Sequence, residues 1–459
     1  MDSNEGALNV IVVGAGFGGL ATAIELTRAG CRVTVYELAK DLTRQGDVIM
    51  LAANATRLLA DWGIFDAVRH MMAQPDALKI QTKTGRLLLQ QPLPRDFDGF
   101  PNIYTNRTRL QNHIYEYAVS LGIQFVFGAR ITEYVEEEQA GRAGIMYQGS
   151  THFADLVIGA DSVHSRARWF VMGQEQPARK SGFAVYRSWF SLDHLRGHAL
   201  TRPIAESGKD EFAIWIAEDT HAILTTNTKL NTCTCFATHR DYTDIDESWH
   251  VRGKVADMLQ VIDESWDPTL RQIIRSIPED MLIDHKLLWR DPVPQWVSPG
   301  GRVALVGDAA HPHLPTAGTG AAQALEDAAT LGVFFAKVAG TDEIPAILRG
   351  YQRLRYERTA LTQRMGWETR HRWHQTDWAA ISQHPEVLNL PQPAWLNGHD
   401  AAQYARDNYD AVMSHVIKGT DFVSTNLPDG YRHEEWTIED MLSKEGQQVP
   451  DDFYKVANN

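Results

Sequence analysis

Two patterns of apolar and polar residues run along this chain, and each predicts a different kind of sheet. Continuous apolar runs at Val10–Val13, in DLVIGA and in RVALVG are typical of strands buried on both faces of a parallel sheet. Between these runs lie segments whose apolar residues recur at helical spacing, such as the segment from Asn106 to Gly122. The first pattern therefore predicts an α/β domain that the chain leaves and re-enters.

The second pattern is an alternation of apolar and polar residues between Gly182 and about His239. Four such runs, FAVYRSWFSL, DEFAIWIA, HAILTTNT and TCTCFATH, predict an antiparallel sheet with one wet or ligand-facing side. A helix is expected to begin at Asp267-Pro268, because aspartate is a good N-cap and proline suits the first helical position. Residues 77–101 alternate and carry three prolines, which predicts a short ribbon leaving the first domain.

The first apolar strand ends in a glycine-rich turn, Gly14-x-Gly16-x-x-Gly19, at the start of a helix. Gly14 allows a tight turn, Gly16 lets backbone approach a pyrophosphate, and Gly19 lets the helix pack closely on the strand. The second strand, Arg32–Tyr36, delivers Glu37, whose carboxylate can accept hydrogen bonds from an adenosine ribose. The unit predicts a dinucleotide site and leaves open whether it holds NAD or FAD.

Length, charge and cysteine content narrow the class of protein. The 459 residues are too many for one typical core, and a net charge of −14 argues against nucleic acid or an anionic membrane surface as partner. Three cysteines give no disulfide framework, and Cys233 and Cys235 are interpreted as packing residues rather than metal ligands. We expect a cytoplasmic protein without a membrane anchor. The N-terminus shows no secretory pattern, the C-terminus (PDDFYKVANN) is polar, and no run of 18 apolar residues occurs.

A second motif follows the late strand RVALVG. Asp308 lies at the end of that strand, and Pro315, Gly318 and Gly320 keep the next loop open before a helix begins. The amides and the helix dipole there would stabilise negative charge on a planar group such as the N1 and C2-carbonyl edge of a reduced flavin. Asp308 would then accept a hydrogen bond from a ribityl hydroxyl.

Four ordered motifs resemble the class A flavoprotein monooxygenases, the FAD enzymes that include p-hydroxybenzoate and salicylate hydroxylases. The motifs are the glycine turn, Arg107-x-x-Leu110, Asp161-x-x-x-Ser165-x-x-Arg168, and Gly307-Asp308 with His311-Pro312. The resemblance covers roughly residues 8–360. The tail, with Trp395 and later Glu435-Trp436-Thr437-Ile438, resembles fungal members, some of which epoxidise the indole 2,3-bond of alkaloids before a semipinacol shift to a spiro-oxindole.

The resemblance implies a Rossmann-type, p-hydroxybenzoate hydroxylase-like FAD-binding domain with an inserted antiparallel β-sheet substrate domain and a C-terminal helical segment. The expected segments are 1–76, 102–181 and 291–360 for FAD binding, 77–101 and 182–290 for the substrate domain, and 361–459 for a helical, tryptophan-rich cover over the flavin domain. It also implies reduction of FAD by NADPH or NADH without a second dinucleotide fold. Reaction with O₂ would give a C4a-hydroperoxide that transfers oxygen to an electron-rich ring.

Carried over from the family, Arg107 would contact the FAD phosphates or ribityl chain, and Asp308 keeps its ribityl role. Asp161 would serve both FAD and the nicotinamide cofactor. Here the family's glycine after that aspartate is Ser162, which puts the backbone geometry of the turn in question.

On the substrate side, Asp47 and Arg187 are the candidate catalytic residues. Asp47 occupies the loop that the family uses near the flavin; the alternative is a surface carboxylate. Arg187, in YRSWF, matches an arginine that family members place facing the flavin, where it could assist epoxide opening; the alternative is a structural ion pair.

Several other residues invite a functional interpretation. Tyr186 and Trp189 are expected to pack, whereas Phe190 and Trp215 are candidates for an aromatic pocket. His311 and His313 are interpreted as loop structure, and no metal site is predicted.

The sequence as a whole favours a monooxygenase acting on a small aromatic molecule with O₂, preferably an indole-containing secondary metabolite. A phenol benefits from an ionising base, whereas indole epoxidation benefits from an acid or cation, which Asp47 and Arg187 fit better. A phenol or salicylate-type hydroxylase stays open. A non-catalytic prenyl-GTPase-binding protein of related fold is the alternative of another class, and Gly307-Asp308 argues against it. Oligomeric state is left open.

Overall fold

The computed structural model describes residues 6–42, 46–175, 177–241, 252–375 and 378–443, so the polar C-terminal PDDFYKVANN and the first five residues lie outside the described part. Its strands in chain order are β1 (Asn9–Val13), β2 (Arg32–Glu37), β3 (Val48–Leu51), β4 (Ala77–Thr82), β5 (Leu87–Pro92), β6 (Asp96–Phe97), β7 (Phe100–Pro101), β8 (Ile103–Asn106), β9 (Gln124–Phe127), β10 (Glu133–Glu137), β11 (Arg142–Tyr147), β12 (Ser150–Ala154), β13 (Leu156–Gly159), β14 (Arg179–Ser191), β15 (Phe212–Ala217), β16 (Thr220–Asn227), β17 (Thr232–Arg240), β18 (Leu282–Trp289) and β19 (Val303–Leu305).

The α-helices of the described residues flank these strands. In chain order they are α1 (Phe17–Arg28), α2 (Ala53–Asp61), α3 (Phe65–Arg69), α4 (Arg107–Ser120), α5 (Arg166–Met172), α6 (Arg202–Glu206), α7 (Val255–Val261), α8 (Pro268–Arg275), α9 (Gly320–Phe335), α10 (Ile344–Gln375), α11 (Trp378–Gln383), α12 (Ala394–Asn397), α13 (Ala401–Lys418) and α14 (Ile438–Ser443). None of them is both long and apolar enough to cross a lipid bilayer.

The predicted apolar strands form one parallel sheet in the order β19-β13-β1-β2-β9. Val12 of β1 is opposite Val35 on one side and Ile158 on the other, and all three side chains are fully buried. Helices α1 and α9 pack together beside this sheet, and the small sheet β10-β11-β12 contacts β1 and β13. The α/β fold class predicted from the apolar runs is confirmed.

The alternating runs form a second sheet of seven strands in the order β18-β14-β17-β16-β15-β4-β5. The ribbon predicted at 77–101 supplies β4 and β5, and β4 pairs with β15 in the parallel sense, so the sheet is mixed rather than purely antiparallel. Helix α8 begins at the predicted N-cap, because the Asp267 carboxylate accepts from the Thr269 amide at 2.8 Å.

The aromatic residues on the two faces of this sheet are not distributed as predicted. Phe190 and Trp215 pack with Tyr186 in the apolar cluster beneath α7 and α8, so their prediction as pocket residues is wrong. Arg187 and Trp189 point to the opposite face, because side chains on a strand alternate. Trp189 is half-buried there and lines a cavity, contrary to the expectation that it only packs.

The C-terminal part was predicted to cover the flavin domain; its helix α13 packs on α9 beside the parallel sheet, and α10 also reaches the second sheet. Helix α10 crosses residue 360, where a domain boundary was expected, and carries Trp367 and Trp373 onto the seven-stranded sheet. The Trp367 ring lies 4.1 Å from that of Trp289 on β18, measured between centroids. Gly366 does not end the helix; a Cβ there would lie 3.3 Å from the carbonyl oxygen of Leu314, so the glycine permits close packing.

Candidate active site

The turn between β1 and α1 shows why three glycines are spaced as they are. Gly14 has φ +107°, and a Cβ on it would lie 2.3 Å from the carbonyl oxygen of Ala160. A Cβ on Gly19 would lie 1.9 Å from the carbonyl oxygen of Gly14. Gly16 differs, because its Cβ would meet no atom of the described residues within 4 Å. The open space before the α1 N-terminus fits a pyrophosphate, which the helix amides and dipole would stabilise.

Glu37 closes this turn from the end of β2. Its carboxylate is 7% exposed and accepts hydrogen bonds from the amides of Ala15 and Ala39, both at 2.7 Å. Gln111, one turn along α4 from Arg107, donates to the carbonyl oxygen of Ala15 at 2.7 Å. Sequence reasoning missed Gln111, although its spacing from Arg107 places both on one helix face.

Arg107 lies between the glycine turn and the predicted catalytic loop. Its guanidinium carbon is 5.6 Å from the ring centroid of Phe17 at the start of α1, and its amide donates to the Asp47 carbonyl oxygen at 2.8 Å. Asn106 is the N-cap of α4, accepting from the Arg109 amide at 3.0 Å, and it also donates to the Gly46 carbonyl at 2.7 Å. These contacts hold residues 46 and 47 against the start of α4.

Asp161 follows β13 and lies against the start of α5, whose N-cap is Ser165. One carboxylate oxygen, Oδ2, accepts from the Tyr134 hydroxyl at 3.0 Å and from the Arg166 and Ala167 amides at 2.9 and 3.1 Å. The other, Oδ1, is buried and has no hydrogen-bond partner among the described residues. Ser162 adopts φ +69°, the left-handed conformation that glycine would supply without strain. The unsatisfied Oδ1 fits the binding of a polar ligand group here.

The second motif forms a loop against the same end of the parallel sheet. Asp308 is exposed within the 3₁₀ turn Gly307–Ala309, and a second such turn, Pro315–Ala317, precedes Gly318 at φ +65°. Gly320 is the first residue of α9, a 16-residue helix whose N-terminus points to this loop. The loop therefore has the backbone openness and helix dipole expected for a planar anionic group.

Buried side chains of α9 hold this loop in place. The Asp327 carboxylate accepts from the Gly307 amide at 2.9 Å and from His311 Nε2 at 2.6 Å. Burial raises the pKa of Asp327, but His311 and Arg355 outweigh it and leave the pKa below its usual value. In His313, burial and the neighbouring His311 lower the pKa to about 3. Both histidines are thus structural parts of the loop.

The two predicted catalytic residues meet although they are 140 residues apart. The Arg187 guanidinium on β14 forms a hydrogen-bonded ion pair with the Asp47 carboxylate, and the side chains are 11% and 2% exposed. Burial, with the nearby charge of Arg107, lowers the pKa of Arg187, and Asp47 opposes that shift. The Arg187 guanidinium carbon also lies 5.1 Å from the ring centroid of Phe236.

A cavity lies between the Asp47 segment and the seven-stranded sheet. Tyr104, Trp189 and Phe212 give it aromatic walls, and threonines of β16 and β17 line it from the sheet. Sequence reasoning missed this set, although strand alternation already links Trp189 to Arg187. Across the described ranges, no group of three histidine, cysteine or acidic side chains is arranged to hold a metal ion.

The family described as "FAD binding domain" matches residues 7–365. Among curated proteins, the chain is 32% identical over 420 residues to asperlicin C monooxygenase of Petromyces alliaceus, covering 89% of this chain and 90% of that protein. It is 33% identical over 438 residues to the FAD-dependent monooxygenase nanF of Aspergillus nanangensis, covering 93% and 94%.

Solved structures of similar proteins superpose on most of this chain. The native protein FqzB superposes with a TM-score of 0.83 at 31% identity, covering 92% of this chain and 96% of that one. CtdE in complex with FAD and its substrate 4 also has a TM-score of 0.83 at 31% identity, covering 89% and 99%. A salicylate hydroxylase substrate complex, at 22% identity and TM-score 0.71, shares the fold.

Proposed function

This chain belongs to the FAD-dependent monooxygenases, and we propose that it inserts one oxygen atom of O₂ into a bulky, electron-rich aromatic substrate, preferably by epoxidising the 2,3-bond of an indole. A semipinacol rearrangement to a spiro-oxindole would follow. The observation that carries the proposal is the buried Asp47–Arg187 ion pair beside a cavity walled by aromatic residues.

The residues around the glycine turn fit FAD, on the evidence of the open space at Gly16 and the unsatisfied Asp161 carboxylate oxygen. The residues proposed to hold it are Gly14, Gly16, Gly19, Glu37, Arg107, Asp161, Asp308, Pro315, Gly318 and Gly320. When bound, FAD would supply the redox chemistry, namely acceptance of a hydride from NADPH or NADH and activation of O₂.

The protein's own contribution is positioning, exclusion of water and one cationic donor. Arg187 stays protonated and can donate a hydrogen bond from its guanidinium to the substrate oxygen as the epoxide C–O bond breaks. Asp47 fixes the direction of that guanidinium through the ion pair. Since both groups are buried, their interaction with developing charge is stronger than it would be in water.

The cavity supports an indole over a phenol. A phenol hydroxylase benefits from a base that ionises the substrate. Among the described residues that line the cavity there is no histidine, and burial raises the pKa of Tyr104 to about 12, which disfavours its ionised form. The two lining carboxylates, Asp47 and Glu211, are each held in an ion pair, which weakens them as bases. The relatives are fungal and one is named for the compound it oxidises, which supports a role in fungal secondary metabolism.

The test starts with FAD-loaded protein, NADPH or NADH, O₂ and a panel of indole alkaloids and simple phenols. We expect substrate-dependent consumption of the reductant and a product heavier by one oxygen atom with an indole, as detected by mass spectrometry. Purified protein without flavin absorbance would contradict the enzyme assignment, and turnover of phenols alone would favour the salicylate-type alternative.

Arg187→Ala tests the role of the ion pair. We expect kcat/KM to fall by roughly tenfold or more, because the donor to the developing oxygen charge is lost, while FAD stays bound. Arg240→Ala is the matched control on neighbouring β17, where Arg240 pairs with Asp219 in a half-exposed ion pair. Unchanged turnover in Arg187→Ala would remove this residue from the active site.

A further inference from the structure

The charged groups of the cavity are all of one sign. Among the described residues that line it, only Asp47 and Glu211 carry a formal charge, and both are carboxylates. Their cationic partners, Arg187 and Lys79, are not lining residues. The lining therefore offers a ligand two carboxylates as hydrogen-bond acceptors, and the Arg187 guanidinium adjoins the lining through its ion pair with Asp47.

Glu211 is held firmly at its place in the wall. Its amide donates to the Thr226 hydroxyl at 2.8 Å, and the Thr226 amide donates back to the Glu211 carbonyl at 3.0 Å. Its carboxylate oxygen Oε2 lies 2.7 Å from Lys79 Nζ on the adjacent strand β4. With a side chain 23% exposed, Glu211 is accessible to a ligand without being free to turn away.

Asp47, the other charged residue of the lining, has one carboxylate oxygen to which no described residue donates a hydrogen bond. Its Oδ2 pairs with Arg187, whereas Oδ1 is buried and has no hydrogen-bond partner among the described residues. A buried carboxylate oxygen without a donor is costly, so a ligand N–H or O–H at this point would be stabilised.

We propose that the cavity selects a neutral aromatic molecule bearing N–H or O–H donors, and that Glu211 is a specificity-determining residue that excludes anionic aromatics. One donor of the ligand would meet Asp47 Oδ1 and a second would meet Glu211. A ligand carboxylate would instead bring acceptor oxygens against the acceptor oxygens of Asp47 and Glu211 with no donor between them, which is unfavourable in a partly desolvated site. The inference rests on the proposed function, since it takes this cavity as the substrate site.

The test measures binding, so it does not depend on turnover. FAD-loaded protein is titrated with two probes that share one ring system, indole-3-acetamide and indole-3-acetate, and binding is followed by equilibrium dialysis. We expect the neutral amide to bind at least tenfold more tightly than the anion. Equal binding of the two probes, tighter binding of the acetate, or no binding of the amide would overturn the proposal.

Glu211→Gln removes the charge and keeps the shape. We expect the preference for the amide over the acetate to fall to within about threefold, chiefly because the acetate binds better. Glu218→Gln, at the exposed turn after β15, is the matched control and should keep the full preference. If Glu211 were only structural, its variant would weaken both probes equally and leave their ratio unchanged, which would overturn the assignment.

Failure of this inference and failure of the proposed function are distinguishable. Selective binding of the amide without oxygenation of any aromatic would refute the proposed monooxygenation of an indole and leave the charge selection standing. Oxygenation of indoles with no discrimination between the probes would refute the role of Glu211 alone.

Discussion

At the scale of single residues, the turn after β13 shows how a departure from a family pattern is accommodated. Ser162 holds φ +69° in a region that costs a non-glycine residue about 1–2 kcal/mol. Asp161 immediately before it is tied to Tyr134 and to the α5 amides, so the turn cannot relax without losing those bonds. The serine is therefore strained because its neighbours determine the backbone.

Replacing Ser162 by glycine tests this strain. We expect the free energy of unfolding to rise by about 0.5–1 kcal/mol, because relief of the left-handed conformation exceeds the entropy gained by the unfolded chain. Urea unfolding of the FAD-loaded protein measures it. Gln148→Gly, at a hairpin position with φ +51°, should show a similar gain. A loss of stability in Ser162→Gly would mean that the serine makes a compensating interaction.

At the scale of elements, a buried ion network joins α9 to α10 and to the C-terminal segments. The Glu326 carboxylate accepts from Arg358 at 2.8 and 3.0 Å and from Asn54 at 2.6 Å, and it also pairs with Arg355. Arg358 in turn donates to the carbonyl oxygens of Trp395, Leu396 and Asn426. Helix α9, which begins at the flavin loop, is thus linked through α10 to the segments around residues 395 and 426.

This network should be sensitive to the loss of one charge. Burial raises the pKa of Glu326, but Arg358 and Arg355 outweigh it and hold the pKa well below its usual value. Glu326→Gln would leave buried arginines undercompensated, and we expect a loss of about 3–5 kcal/mol in the free energy of unfolding. The control, Glu357→Gln, breaks a half-buried i,i+4 pair with Arg353 on α10 and should cost under about 1 kcal/mol. Similar losses in both variants, measured by urea unfolding, would contradict this ranking.

At the scale of the whole molecule, buried neutral histidines make stability depend on pH. Burial lowers the pKa of His221, beneath α10, to about 3, with Arg370 adding to the shift, and the pKa of His313 in the flavin loop is also about 3. Below pH 6.5 the unfolded chain binds protons that the folded chain does not, so acidification favours unfolding down to about pH 3.

Each of these two histidines should lower the free energy of unfolding by about 1.4 kcal/mol for each pH unit below pH 6.5. We therefore expect the melting temperature to fall between pH 7.5 and pH 5.5, as measured by thermal unfolding monitored by circular dichroism. His221→Gln should flatten the pH dependence, whereas His384→Gln, on a side chain 67% exposed, should leave it unchanged. A melting temperature that stayed constant or rose on acidification would contradict the sign.

The local units of this protein follow from short stretches of its sequence. Apolar runs and the glycine spacing define β1, α1 and β2, and the aspartate-proline pair marks the start of α8, because these features depend on residues close together in the chain. The order of the motifs was enough to indicate an FAD enzyme, and Asp47 and Arg187 could be chosen as candidates from their local context.

The way in which those units meet depends on contacts that local sequence does not specify. Strand alternation establishes that Arg187 and Trp189 share a face, but which face borders the cavity depends on what α7, α8 and α10 cover. The Asp47–Arg187 pair and the joining of β4 to β15 are contacts between residues far apart in sequence. The periodicity of a segment shows which residues share a face. It does not show which other element packs on that face, because that choice depends on the free energy of contacts between residues far apart in the chain.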